Sequence, residues 1–186
     1  MSDEANSAIP MDRRQLLLFG SAALLSGTML SKTASAATGT LVMTINPEPN
    51  AMVSAFNTAS PVAVISGKMT EGLVHYDFEL NPQPELATSW EIAPDGLSMT
   101  FKLRDGVKWH DGKPFSSADV AYSIMEILKQ HHPRGRGVFA KVTAVETPDP
   151  LTAIIKLSEP TPAMIYALAG WESPMLPKHV YEGSEL

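Results

Sequence analysis

Between Leu97 and Leu103 the chain alternates: Leu97, Met99, Phe101 and Leu103 are apolar, while Ser98, Thr100 and Lys102 are not. A period of two is the pattern of a strand with one buried face. Residues 87–92, "ATSWEI", predict a partner strand, and Pro94, Asp95 and Gly96 predict the tight turn between them, because glycine accepts positive φ and aspartate tolerates turn geometry. The Asp-Gly pair recurs in "RDG" (104–106) and "HDG" (110–112), on either side of Val107, Lys108 and Trp109. At Ser116 the period changes. Ser116 and Asp119 have the spacing of a capping box, and Val120, Ala121, Ile124, Ile127 and Leu128 follow at helical intervals until Pro133 ends the run.

The same reading extends to the flanks. Residues 40–46, "TLVMTIN", predict a buried opening strand followed by the loop "PEPN". Residues 62–70 predict a short helix, 71–77 ("EGLVHYD") a strand, and "NPQPELA" a turn-rich link. "HHPRGRGVFA" predicts a polar, glycine-rich loop, and 141–146 and 151–157 predict a second hairpin joined through "TPDP". Thr161 as N-cap, Pro162 at the first helical position and Gly170 at the end predict one more helix. The last residues are loop-like, with "PKHVY" opening a short helix. No internal repeat or low-complexity segment occurs. Strands, hairpins and single helices are mixed rather than strictly alternating, which excludes a pure Rossmann or barrel layout and predicts a mixed α/β lobe.

The first residues change the picture of destination rather than of fold. Arg13 and Arg14 precede the apolar stretch 16–30, and Ala34, Ser35 and Ala36 follow as a small-residue cleavage pattern. Residues 1–36 are therefore expected to be a signal peptide cut between Ala36 and Ala37, with Met11 as the natural start. The paired arginines predict twin-arginine export, with general secretion as the alternative. The chain has no cysteine. An exported chain without disulfides rests on its core, and a lipid-anchoring cysteine at the cleavage site is excluded, so soluble periplasm is the expected location. The net charge is −6, and residues 1–36 contribute none of it, because Arg13, Arg14 and Lys32 balance Asp3, Glu4 and Asp12. A mildly acidic chain with scattered charge argues against a nucleic-acid partner. About 150 mature residues suffice for one domain by length.

Candidate chemistry is sparse. His131 and His132 are adjacent and cannot share a helix face, and His75, His110 and His179 fall in separate segments, so no metal site is predicted. Surface or capping roles are expected for the histidines. "GRGVFA" (135–140) fits G-x-G-x-x-A but follows a helix and a proline instead of a strand, and reads as a loop. No G-x-S-x-G occurs, no thiol is available, and no residues pair as nucleophile and base. Neither an enzyme nor a cofactor site is expected. Trp90 and Trp109 read as core or edge packing, and Trp171, following the glycine that ends a helix, faces either core or cleft, with core the favoured reading.

The residues that carry a resemblance to a known family are the opening ones. "ELATSWEIAPDGLSMTFKLRDGVKWHDGKPFSSADVAYSI", with "EGLVHYD" before it and "VETPDPLTAIIKLSEPTPA" and "PKHVYE" after it, resembles the periplasmic oligopeptide- and dipeptide-binding proteins, family 5 of the ABC-transporter solute-binding proteins. The resemblance runs over essentially all of 37–186. It implies a periplasmic-binding-protein-like two-lobe fold of mixed α/β class, of which 37–186 supplies the N-terminal part of lobe I. The signature itself implies scaffold rather than ligand contact. Relatives are longer and close two lobes over a ligand, so the sequence is expected to be a fragment or a truncation that by itself binds ligand weakly or not at all.

The resemblance further implies a binding protein, expected as a monomer, that delivers peptides or similar small polar solutes to an inner-membrane ABC permease complex. Alternative cargoes are an oligosaccharide, a nickel chelate, haem or an opine-like compound; a non-functional remnant is the other alternative. Two loops resemble cleft-lining regions of relatives: Asn46, Glu48 and Asn50 after the first strand, and the segment around Phe139 after the helix. Each has a plainer reading, a solvated turn for the first and packing beneath a loop for Phe139. Arg134 and Arg136 are placed to attract an anionic group or simply to be solvated.

Overall fold

The alternating run forms the centre of an antiparallel sheet. In the computed structural model, which describes residues 42–184, β3 (Ala87–Ile92) and β4 (Ser98–Leu103) pair as a hairpin, with Trp90 opposite Phe101. The predicted turn closes it: Gly96 adopts φ +69°, and Asp95 Oδ1 accepts the Leu97 N–H at 2.9 Å. β5 (Val142–Asp149) and β6 (Thr152–Leu157) form the second hairpin, and β6 docks on β4 to give the order β3-β4-β6-β5. β5 runs through Thr147 and Asp149, so the turn is shorter than "TPDP" suggests.

Met99, Phe101 and Leu103 from β4 and Ala153, Ile155 and Leu157 from β6 are all buried, as the period of two requires. A helix covering 117–131, α2, lies against β5 and β6 and contributes Val120, Ile124, Ile127 and Leu128 to the same core. Fully burying each such side chain is worth about 1.5–3 kcal/mol. α2 begins as an α-helix (Ser117–Tyr122), widens to a π-helix (Ser123–Leu128) and closes with Lys129–His131. Its start follows the capping-box expectation, with the Ser116 N–H donating to Asp119 Oδ2 at 2.9 Å. The other Asp119 oxygen accepts the Lys178 N–H at 2.9 Å, and Ser123 Oγ accepts the Leu176 N–H at 2.8 Å. One helix face thereby fastens the segment leading into α4 (Lys178–Tyr181), the short helix expected there.

Ahead of the sheet, the helix expected at 62–70 forms as α1 (Ser60–Met69), and β1 (Val74–Tyr76) occupies only the second half of the strand predicted at 71–77. "NPQPELA" is more than a link: β2 (Pro82–Pro84) pairs antiparallel with β1. Two-stranded ribbons have only edges, where proline's missing N–H costs no ladder bond. The opening strand expected at 40–46 is not found among the described residues. Residues 42–46 are irregular, and Val42 and Met43 are 82% and 59% exposed. No neighbouring strand pairs with them among the described residues, and without one an apolar run has no ladder to join. The signal peptide expected at 1–36, with Arg13, Arg14 and the Ala36–Ala37 cleavage point, lies outside the described residues.

Two backbones cross where sequence spacing gives no hint of it. The Leu73 N–H donates to Leu168 O at 3.0 Å and the Met175 N–H to Glu71 O at 2.9 Å, so residues 71–73 run against 168–175. Gly72 and Gly170 meet at this crossing. A Cβ on Gly170 would fall 2.6 Å from Gly72 N, and one on Gly72 would fall 2.3 Å from Gly170 N. The helix expected after Thr161 forms as a tighter 3₁₀-helix (Pro162–Leu168). Thr161 Oγ1 bonds Glu159 O at 3.1 Å instead of capping the helix.

Candidate functional site

The crossing sets the site. Held at Gly170, the chain turns outward and presents Trp171 with 54% of its surface exposed, against the core placement its sequence suggested. Tyr166, on the 3₁₀-helix, is 53% exposed. Both line an open groove of about 540 Å³ together with Arg134, Val138, Met164 and Glu172. Exposed aromatics in a concave apolar surface are a binding feature, because their burial against a ligand recovers area that folding leaves in water. Tyr166 stacks on Tyr76, with ring centroids 5.8 Å apart and 18° between planes. Tyr76 donates to Ile165 O at 3.2 Å, and burial, reinforced by Tyr166, pushes its hydroxyl up to about 12. Tyr76 thus stays neutral and fixes Tyr166 from behind.

The opposite wall comes from "HHPRGRGVFA", which contains a short helix, α3 (Gly135–Val138), where a loop was expected. It follows a helix, not a strand, so "GRGVFA" lacks the strand-to-helix turn of a dinucleotide fingerprint. Arg134 makes a two-pronged ion pair across the groove wall, Nε to Glu172 Oε1 at 2.9 Å and Nη2 to Oε2 at 2.5 Å. Glu172 is nearly buried (side chain 11% exposed), whereas the Arg134 side chain is 55% exposed. A buried carboxylate needs such a partner. The pair joins α3 to the segment carrying Trp171 and leaves the guanidinium with donors facing solvent.

His132 sits behind the pair and is 3% exposed, which corrects the surface expectation. Its Nδ1 accepts the Arg134 N–H at 3.2 Å, the capping half of that expectation, and this fixes the proton on Nε2. Nε2 has no hydrogen-bond partner among the described residues. Burial pushes the imidazole below its ordinary value; Glu172 opposes the shift and Arg134 adds to it. His132 is thus held neutral, two residues before the groove-lining Arg134.

The sequence-derived binding residues fall in different places. Phe139 is 1% exposed and belongs to the core, the packing role that was its plainer reading; the groove wall is made by its neighbours Arg134 and Val138 instead. Asn46, Glu48 and Asn50 are exposed and do not line the groove. Asn50 Oδ1 accepts from Asn57 Nδ2 at 2.7 Å, which ties the end of this loop to residue 57. Arg136 is exposed. Sequence reasoning missed Tyr166 and Glu172 and favoured core over cleft for Trp171. The only signal for Trp171 was its position directly after a glycine that ends a helix.

A larger groove of about 810 Å³ lies between α1 and the β4–α2 connection. Its wall mixes Lys68, Arg104 and Lys108 with Glu71 and Glu85 and carries few exposed aromatics. Glu85 accepts the Gly72 N–H at 2.9 Å and its carboxyl is raised, first by burial. That carboxylate serves the backbone crossing. Among the described residues no group of three His, Asp or Glu side chains is placed to hold a metal ion.

Residues 81–185 match the bacterial extracellular solute-binding proteins, family 5 middle region. The chain belongs to this family. A Brucella ovis protein, provisionally named an ABC transporter peptide-binding protein, is 37% identical over 166 residues, covering 86% of this chain and 30% of the relative. Among solved structures, NikZ from Campylobacter jejuni in complex with Ni(L-His) superposes with a TM-score of 0.64 at 35% identity, over 74% of this chain and 27% of that one. AgaA from A. tumefaciens R10, in complex with agropinic acid, gives 0.62 at 32% identity, over 74% and 29%. The chain thus spans about a third or less of the length of the family 5 proteins it matches. The mixed α/β fold expected from the sequence is the family's fold. Its relatives bind solutes; none of the three is named as an enzyme.

Proposed function

We propose that this chain is the N-terminal part of the first lobe of an extracytoplasmic solute-binding component of an ABC importer. Its ligand-facing surface includes the groove between α3 and Trp171. The observation that carries the reading is an exposed aromatic pair, Tyr166 and Trp171, in an apolar groove beside a solvent-facing arginine, on a chain of family 5. The cargo is a peptide or similarly small polar solute, as the name of the Brucella relative supports. Ligand is held between this lobe and a second one. Closure follows only to the extent that the closed form binds ligand better than the open form. The closed form is then presented to a membrane permease. Signal-directed export of 1–36, a periplasmic location and a monomeric state complete the proposal. The exposed loop carrying Asn46, Glu48 and Asn50 is a second candidate lining of the cleft.

A second cargo class rests on a specific observation. The solved relatives at 35% and 32% identity are complexes with Ni(L-His) and agropinic acid, neither of them an oligopeptide. The test is equilibrium binding by the complete gene product, titrated with short peptides, a nickel–histidine chelate and an opine. Trp171→Ala is expected to weaken the preferred ligand about tenfold or more, the scale of an aromatic hot spot. Unchanged affinity for every ligand bound by the wild type removes the groove from the account.

A further inference from the structure

Three Asp-Gly pairs lie within residues 95–112, and the structure treats one of them differently. At Asp95 the carboxylate reaches past its glycine to the Leu97 N–H (2.9 Å), and the Gly96 N–H is committed to Ala93 O (2.8 Å). Asp111 repeats the arrangement. One carboxylate oxygen accepts the Lys113 N–H (3.1 Å), the other meets His179 Nε2 (2.7 Å), and the Gly112 N–H is committed to Trp109 O (2.9 Å). Asp105 breaks the pattern. Its Oδ1 contacts the nitrogen of its own successor, Gly106, at 2.7 Å, and among the described residues that nitrogen has no backbone carbonyl partner. Both residues are exposed, Gly106 adopts φ +74°, and the space where a side chain would stand at Gly106 is empty.

We propose that Asp105–Gly106 is a site of spontaneous covalent modification, the isomerisation of aspartate to isoaspartate through a cyclic imide. The reaction joins the Gly106 nitrogen to Asp105 Cγ, and the hydrogen-bonded contact places Cγ within one carbon–oxygen bond of the distance already reached. Gly106 N gives up its proton as the C–N bond forms. The neutral acid form of the Asp105 carboxyl loses its hydroxyl, and the two leave as one water. One water then returns to the imide. Addition at Cγ restores aspartate, and addition at the Asp105 main-chain carbonyl leaves the chain running through Cβ. No oxidant, reductant or other co-reactant enters.

Freedom from competing hydrogen bonds is what separates the three sites, since the same dipeptide in an unfolded chain has the same intrinsic reactivity. Where Gly96 N and Gly112 N are held by turn carbonyls, attack requires breaking a turn hydrogen bond and withdrawing the carboxylate from its partner two residues on. Asp105 needs neither. The product matters locally. An extra backbone atom at 105 shifts Val107, whose carbonyl accepts the Phe115 N–H at 3.0 Å, and Lys108, which bridges to Pro114.

The test is timed incubation of the purified protein under native conditions and, in parallel, in urea, followed by peptide mapping. Isoaspartate is read as resistance to cleavage before aspartate and as methyl transfer by an isoaspartyl methyltransferase. The expected result is accumulation at 105 that exceeds 95 and 111 by about tenfold or more in the native protein. In urea the three rates converge. Asp105→Glu, which disfavours the five-membered imide, removes the signal at 105 and leaves the other two sites as they were. Equal native rates at the three sites, a faster rate at 95 or 111, or a preference for 105 that persists undiminished in urea would each overturn the proposal.

Discussion

Replacing Gly170 by alanine tests the backbone crossing that presents Trp171. The new Cβ lies 2.6 Å from Gly72 N, 2.9 Å from Glu71 C and 3.1 Å from Glu71 Cα, all of them backbone atoms with no rotamer to move. Relief requires the two segments to separate, and separation stretches the bonds from Leu73 N–H to Leu168 O (3.0 Å) and from Met175 N–H to Glu71 O (2.9 Å). Overpacking costs about 1–3 kcal/mol, and each lost buried hydrogen bond adds about 1 kcal/mol, giving a loss of about 3–5 kcal/mol. Gly67→Ala is the internal control. Gly67 lies exposed in α1 with nothing within 4 Å of an added Cβ, so alanine there gains about 0.5–1 kcal/mol of helix propensity. Urea unfolding followed by circular dichroism measures both. A Gly170→Ala midpoint within about 0.5 kcal/mol of wild type, the range of neutral surface changes, refutes the crossing.

Other outcomes follow from the same side chains. Phe139→Ala is expected to destabilise by about 3–5 kcal/mol, as a core aromatic does, and Phe139→Leu far less; equal and small effects in urea melts contradict its core placement. His132 is held neutral in the fold, with a lowered folded pKa, so below the ordinary imidazole range near 6.5 the unfolded chain binds a proton that the folded chain does not. Its contribution is complete above that range and is lost as pH falls through it, with a slope approaching about 1.4 kcal/mol per pH unit. His132→Asn keeps an acceptor for the Arg134 N–H and removes the titration. The difference between variant and wild-type urea midpoints should therefore shift in the variant's favour from pH 7 to 5; a difference that stays constant across that range rejects the buried neutral imidazole.

The elements legible in the sequence are those whose cause is local. Met99, Phe101 and Leu103 alternate with polar residues because one sheet face is buried, whereas Leu97, just before the strand, stays exposed; Ser116 with Asp119 starts a helix because both groups satisfy backbone near them. Elements that depend on distant partners were not legible. Thr40–Asn46 has the composition of a strand, but its described part finds no neighbour to pair with. Pro82–Pro84 looks like a turn until β1 lies beside it. The candidate site follows the same division. Arg134 could be singled out from its loop, but its partner Glu172 is 38 residues away. Trp171 looks like core in sequence, and only the Gly72–Gly170 crossing turns it outward. Phe139 and Val138, one position apart, divide between core and groove, a division that the sequence of the loop does not reveal.

Native mass spectrometry of the complete gene product, purified without denaturation from its host compartment, tests the central claim most directly. A solute-binding protein of this family is expected to carry small non-covalent masses, a ladder of short peptides or a single chelate or opine. These masses leave on unfolding, return when the solute is added back, and fall in occupancy in Trp171→Ala. A folded protein that carries no solute and takes none up from peptides, chelates or opines contradicts the account.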